Sequence, residues 1–175
     1  GVGVLYGKEN LLEEMPPYQG GGEMIATVSF DKTTYNQLPF KFEAGTPNVG
    51  GVIGMQAALR YVNELGLENI AAHEDDLLNY ATDKLRQLGG MDFYGESEHK
   101  TGVISFNISG VHSYDAGTII DKFGVAVRTG HLCTQPLADF YGIPGFIRAS
   151  FAVYNTRQEV DTFAEAVSRS REMLL

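Results

Sequence analysis

The sequence contains a single cysteine in 175 residues, so no disulfide can form within the chain. Positive charge is scarce as well: 13 Lys+Arg stand against 22 Asp+Glu, a formal charge of −9. That balance argues against nucleic acid or an anionic membrane surface as the main partner, because their phosphates are repelled. No stretch approaches the roughly 20 apolar residues of a membrane-spanning helix. The opening GVGVLYGK has neither the basic region nor the apolar run of a secretory signal. These absences predict a soluble protein of a reducing compartment, the cytoplasm. Metal-ligand spacing is missing too. His73, His99, His112 and His131 make no HxxxH pair and Cys133 belongs to no CxxC, so no metal site is expected. A papain-like protease needs a histidine downstream of its nucleophile, and none follows His131. There is no internal repeat and no low-complexity segment.

What is present suits an α/β or α+β layer with a core, given 43% hydrophobic residues. The chain opens without Met, and Val2, Val4 and Leu5 suit a buried strand that starts without a polar lead-in, as though the sequence begins inside a domain. Pro16, Pro17 and Gly20 to Gly22 then predict a loop. From Met24 to Phe42 the β-branched and aromatic content predicts a hairpin, with Asp31 to Tyr35 at its tip. A second glycine-rich turn, FEAGTPNVGG, precedes a helix striped by Val52, Met55, Leu59 and Val62 and stopped at Gly66. The next helix buries Ile70, Leu77, Ala81, Leu85 and Leu88, and Gly89-Gly90 ends it. Strands are expected at Met91 to Tyr94 and Gly102 to Ile108. A helix capped by Ser113 follows, striped by Ala116, Ile119, Ile120 and Phe123 and closed by Gly124. Strands at Val125 to Arg128 and Phe146 to Val153 come next. Thr156 and Glu159, spaced as a capping box, start a last helix striped by Val160, Phe163, Val167 and Leu174.

Three places could carry chemistry. Cys133 sits in VAVRTGHLCTQPL among Arg128, Thr129, Gly130, His131, Thr134 and Gln135, whereas a structural cysteine has apolar neighbours. A cation or imidazole nearby favours the nucleophilic thiolate. Arg148 lies in the apolar strand FIRASFAV and needs an anionic partner, either a carboxylate of the chain itself or the carboxylate of a substrate held by both guanidinium nitrogens. Thr46, with the backbone amides ahead of a helix, suits a phosphate oxygen, although a Gly-Thr-Pro turn is equally at home as plain structure.

Read in order, GVGVLYGK, PPYQGGGEMIATV, FEAGTPNVGG, VRTGHLCTQPL and FIRASFAVYNT resemble the C-terminal portion of a Suf-type cysteine desulfurase. That is a fold-type I pyridoxal phosphate (PLP) enzyme of the class V aminotransferase group, and the resemblance spans essentially the whole chain. It implies that residues 1–65 are a remnant of the large PLP-binding domain and residues 66–175 the small C-terminal domain. It further implies PLP as cofactor, L-cysteine as substrate, and Cys133 as the nucleophile that takes up the substrate sulfur as a persulfide. The sulfur would pass to an acceptor protein for iron-sulfur cluster assembly. By the same resemblance Arg148 holds the substrate carboxylate, Arg128 and His131 flank the loop as further substrate-binding residues, and Thr46 contacts the PLP phosphate across a homodimer interface. The sequence departs from the family in two ways. The family's GHHC reads GHLC here, with Leu132 in place of the second histidine. The PLP-anchoring lysine precedes the GxGxLY strand in the family, and no lysine here has that setting, so the 175 residues alone are expected to be inactive. The competing expectations are a selenocysteine lyase, closely related in sequence, and a noncatalytic module for dimer or partner contact.

Overall fold

The computed structural model describes all of residues 1–175. The chain divides into two compact units, Gly1–Glu64 and Leu65–Leu175.

The first unit contains α1 (Glu9–Glu14), an antiparallel hairpin of β1 (Ile25–Val28) and β2 (Thr33–Tyr35), a 3-10 turn at Phe40–Phe42, and α2 (Val49–Leu65), which ends at the boundary. The expected hairpin is present, but its tip falls earlier: Ser29 N donates to Lys32 O at 3.0 Å, and Thr33 to Tyr35 are strand. Residues 2–5 are not a strand, and Val4 and Leu5 are 75% and 64% exposed. Apolar alternation makes a strand only where another strand supplies its hydrogen bonds, and none pairs with these residues. Helix α2 forms where its period predicts, yet it buries nothing: Val52 and Leu59 are exposed, and Met55 and Val62 are only half-covered. Spacing signalled nothing at Lys41, which is buried. Its Nζ donates to Leu12 O at 3.0 Å and Glu13 O at 2.7 Å, the carbonyls that end α1. A cation there satisfies orphan acceptors at the negative end of the helix.

The second unit is a four-stranded antiparallel sheet with three long helices packed on one face. In chain order it contains α3 (Leu67–Leu88), β3 (Met91–Tyr94), β4 (Val103–Ile108), α4 (Ser113–Lys122), β5 (Arg128–Gly130), α5 (Gln135–Tyr141), β6 (Phe146–Ser150) and α6 (Arg157–Leu174). The strand order is β3-β4-β6-β5. Alternation along β4 and β6 decides which residues face which side. Ile104, Phe106, Ile108, Ile147 and Ala149 form one core with Leu77, Ala81 and Leu85 of α3, Ala116 and Ile120 of α4, and Val160, Phe163 and Val167 of α6. Burying Phe106 completely contributes about 2–3 kcal/mol of transfer free energy. Ser105, Asn107, Phe146 and Arg148 project from the opposite face.

Several boundaries differ from the sequence expectation. Strand β5 starts at Arg128 rather than Val125, because only residues 128–130 find partners on β6, although Val125 and Val127 still pack against the core. Strand β6 stops at Ser150, where Ala152 N turns to donate to Asn155 Oδ1 at 2.9 Å. The cap of α4 is His112, whose Nδ1 accepts from Tyr114 N at 3.3 Å; Ser113 is the buried first residue of the helix. The capping box of α6 is as expected, with Thr156 N donating to Glu159 Oε2 at 2.8 Å and Glu159 N to Thr156 Oγ1 at 3.3 Å.

Polar side chains fasten α3 to α6. Arg157 donates to both carboxylate oxygens of Asp76, at 3.1 and 2.6 Å. Asp161 accepts from Tyr80 Oη at 2.7 Å and pairs with Lys84 Nζ at 2.8 Å. The Tyr80 ring lies 4.9 Å from the Arg157 guanidinium and 5.1 Å from Lys84 Nζ, within reach of cation–π attraction.

Candidate active site

The face of the second unit opposite α3, α4 and α6 carries the cysteine. Leaving β5, the chain makes a four-residue turn from His131 to Thr134, closed by Thr134 N donating to His131 O at 2.9 Å. Thr134 Oγ1 donates to the same carbonyl at 2.7 Å. The two central residues, Leu132 and Cys133, have φ of 56° and 64°. Two successive positive φ values under an i to i+3 hydrogen bond are the signature of a type I′ turn, which Asn and Gly fill most easily. Leucine and cysteine hold this backbone at a cost of order 1–3 kcal/mol each. The thiol is exposed. Neither central residue is a glycine or asparagine, which is why GHLCT reads in the sequence only as a loop.

Helix α5 follows directly and was not expected. Pro136 sits in its first turn and Gly142, in the left-handed conformation, ends it. An aromatic cluster ties it to the sheet: Tyr94 meets Tyr141 at 5.1 Å and Phe146 at 5.2 Å between ring centroids, both edge to face. The turn and α5 thus roof part of the open face.

Beneath them a row crosses all four strands. Pairing registers set Tyr94 opposite Ser105, Ser105 opposite Arg148, and Arg148 opposite Arg128. Residues directly opposite share a face, so Arg148 and Arg128 project from the same side of the sheet, a pairing that like charge disfavours. Neither joins any of the three ion pairs of the chain, which are Lys84–Asp161, Arg86–Glu96 and Arg157–Asp76. Arg148 is half-buried, and its Nε is fully enclosed without a hydrogen-bond partner. The internal salt bridge that an arginine in an apolar strand could have made is therefore not formed. An enclosed, unpaired guanidinium nitrogen, with a second arginine on the same face of the sheet, is a place for an anion from outside.

A cavity of about 260 Å³ joins these parts. Leu132 and Thr134, on either side of Cys133, line it together with Arg148, Ser105, Tyr94 and Tyr141. The fold therefore brings Arg148 into one cavity with the residues adjoining Cys133. His131 and Arg128 are exposed on either side of Thr129 and Gly130 and are not among its lining residues. Thr46 belongs to the first unit. It is exposed between Gly45 and Pro47, just before α2, whose first turn is held by Gly51 N donating to Asn48 Oδ1 at 3.0 Å. Gly45 N donates to Gly22 O at 2.9 Å, so the two glycine-rich segments are tied together. Tyr94 and Ser105 were not singled out by sequence reasoning; the signal was period-two alternation, which becomes informative only once the strand registers are known.

Comparison with known proteins places the chain in a family. The family model for aminotransferase class-V matches residues 1–163. Cysteine desulfurases of Escherichia coli, strain K12 among them, are 50% identical over 99% of the chain. The chain spans 43% of the length of these curated relatives. Among solved structures, the cysteine desulfurase CsdA of Escherichia coli superposes with a TM-score of 0.90 at 40% identity, covering 97% of this chain and 42% of that one. The apo cysteine desulfurase of Thermococcus onnurineus NA1 gives 0.90 at 38% identity, with 97% and 42% covered. A cystine C-S lyase, C-DES, shares the fold at a TM-score of 0.72 and 20% identity; one of its variants carries glycine linked to a PLP cofactor. The chain belongs to the class-V aminotransferase family.

Proposed function

We propose that this chain is the sulfur-accepting part of a PLP-dependent cysteine desulfurase, with Cys133 as the nucleophile. One observation carries the reading: an exposed thiol at the tip of a strained turn, whose neighbours line the same cavity as a half-buried arginine with an enclosed, unpaired Nε. The residues present fit the substrate and its cofactor in two places. Arg148, aided by Arg128, fits the carboxylate of L-cysteine, and Thr46 with the amides ahead of α2 fits a phosphate. The family's lysine anchor has no counterpart here. By the resemblance that anchor lies ahead of the GxGxLY strand, and Lys8, Lys32, Lys41, Lys84, Lys100 and Lys122 all follow it.

Bound PLP supplies an electron sink that lets the carbon–sulfur bond of cysteine break. The chain's own residues do the rest. Arg148 fixes the amino acid by its carboxylate, so the side-chain sulfur is presented at one distance from the roof of the cavity. The Cys133 thiolate bonds to that sulfur as the carbon–sulfur bond breaks, leaving alanine and a persulfide on Cys133. His131, exposed two residues before the thiol, can take up or return a proton at the loop. A turn at the surface then offers the persulfide to an acceptor protein, and an acceptor serving iron-sulfur cluster assembly in the cytoplasm fits the resemblance. Residues 1–65 belong on this reading to the large domain and residues 66–175 to the small one, and the working form is a homodimer. Replacing Cys133 by Ser in the whole protein is expected to abolish sulfide release from L-cysteine with a thiol reductant, while PLP remains bound. Undiminished sulfide release would defeat the assignment.

A further inference from the structure

Asn107 is the one buried residue on the open side of β4, two positions from Ser105 in the arginine row. It is 8% exposed. Its Nδ2 donates to Gly145 O at 2.8 Å, and its Oδ1 is enclosed with no partner. Because the partner is a carbonyl, the nitrogen must face it, which fixes the orientation of the amide. Burying an amide with its acceptor unused is unfavourable, so packing alone would be better served by an apolar residue at this position. What the amide adds is its hold on Gly145.

Gly145 immediately precedes β6 and touches the strand that carries the cysteine turn. A side chain there would place its first carbon 2.9 Å from the Cα and carbonyl carbon of Gly130, too close for any real contact. Gly130 is the last residue of β5, three before Cys133, and pairs with Phe146. The base of the turn therefore rests, backbone against backbone, on a residue whose carbonyl is gripped by Asn107. Arg148 is held differently: it lies inside the ladder, three residues beyond Gly145, paired with Ser105 on one side and Arg128 on the other.

We propose that Asn107 is a positioning residue for the nucleophile: through Gly145 and Gly130 it sets where the Cys133 turn stands relative to the substrate held by Arg148. This rests on the reading of Cys133 as the sulfur acceptor. Loss of the hold would displace the thiol and leave the carboxylate grip intact. In the whole protein, Asn107→Ala is expected to lower kcat for alanine release by roughly ten-fold or more, as small misplacements of a reacting group do, while KM for L-cysteine changes less than about two-fold. Gly145→Ala, which pushes on Gly130 from the other side, is expected to give the same split.

A second readout needs no turnover. The rate at which iodoacetamide alkylates Cys133 is compared in Asn107→Asp and wild type across acid to mildly alkaline pH. The protonated carboxyl can donate to Gly145 O and the carboxylate cannot, so the ratio of variant to wild-type rates should stay near one at the acid end and depart from it as pH rises. This variant carries its own restored state, so it remains informative where Asn107→Ala unfolds. Wild-type kcat in both folded variants, an equal rise in KM, or a pH-independent alkylation ratio would overturn the proposal. Full activity in Cys133→Ser would instead overturn the reading beneath it.

Discussion

The two units of the chain bury themselves very differently. In the first, Met24 is the one fully buried apolar side chain, and the long helix α2 covers none of its residues. In the second, fifteen residues from three helices and two strands form one cluster. Both units have helices with clear apolar stripes, so the stripe alone does not tell where a helix's burial comes from. In α3, α4 and α6 the sheet of the same unit supplies it, and in α2 nothing within its own unit does.

That contrast can be broken by mutation. Phe106→Ala opens a gap in the middle of the second unit's cluster and should destabilise the 175-residue chain by about 3–5 kcal/mol. Leu59→Ala, on the stripe of α2, should change it by less than about 0.5 kcal/mol. Denaturant unfolding followed by far-UV circular dichroism measures both. Similar losses at the two positions would mean that α2 is covered in solution.

Acid sharpens the comparison, because the carboxylates held below their ordinary range all lie in the second unit. Hydrogen bonding from Arg157 lowers Asp76, hydrogen bonding from Lys84 and Tyr80 lowers Asp161, and the Thr156 backbone N–H lowers Glu159. A carboxylate with a depressed value in the folded state contributes stability that is present above its unfolded value, here 3.8 for the two aspartates, and is lost as pH falls through the folded one. The α3–α6 fastening should therefore weaken on acidification below about pH 4, modestly because all three groups are exposed. Amide exchange in α6, followed against pH, reads this loss. Asp76→Asn should remove part of the pH dependence, and an unchanged profile would rule the pair out as a contributor.

The smallest effect concerns the turn. Leu132→Asn places a residue that tolerates positive φ where leucine is strained, and should raise stability by about 0.5–1 kcal/mol. A loss of stability would mean that Leu132's place in the cavity wall outweighs its backbone cost.

How much of this was legible in the sequence follows from the range of the interactions. The helices α3, α4 and α6 were visible because their periodicity is local and their partner sheet lies in the same unit. The capping box at Thr156 and Glu159 spans four residues and was readable outright. Cys133 and Arg148 stood out by residue type against their neighbours. The hold of Lys41 on α1 spans 28 to 29 positions and that of Asn107 on Gly145 spans 38, and no local pattern announces either. Helix α5 was missed because Pro136 and Gly142 mark loops as readily as helix ends. Val2 to Leu5 carry a strand-like pattern without forming a strand, because alternation reports which residues are apolar, not whether a partner strand exists.

The central claim is that the Cys133 thiol takes the sulfur of the substrate. A single turnover of the whole protein with L-cysteine, without reductant, followed by digestion and mass analysis, tests it most directly. The peptide containing Cys133 should gain the mass of one sulfur atom, and the gain should disappear after treatment with a thiol reductant. Alanine formed in stoichiometric amount while that peptide keeps its original mass would contradict the claim.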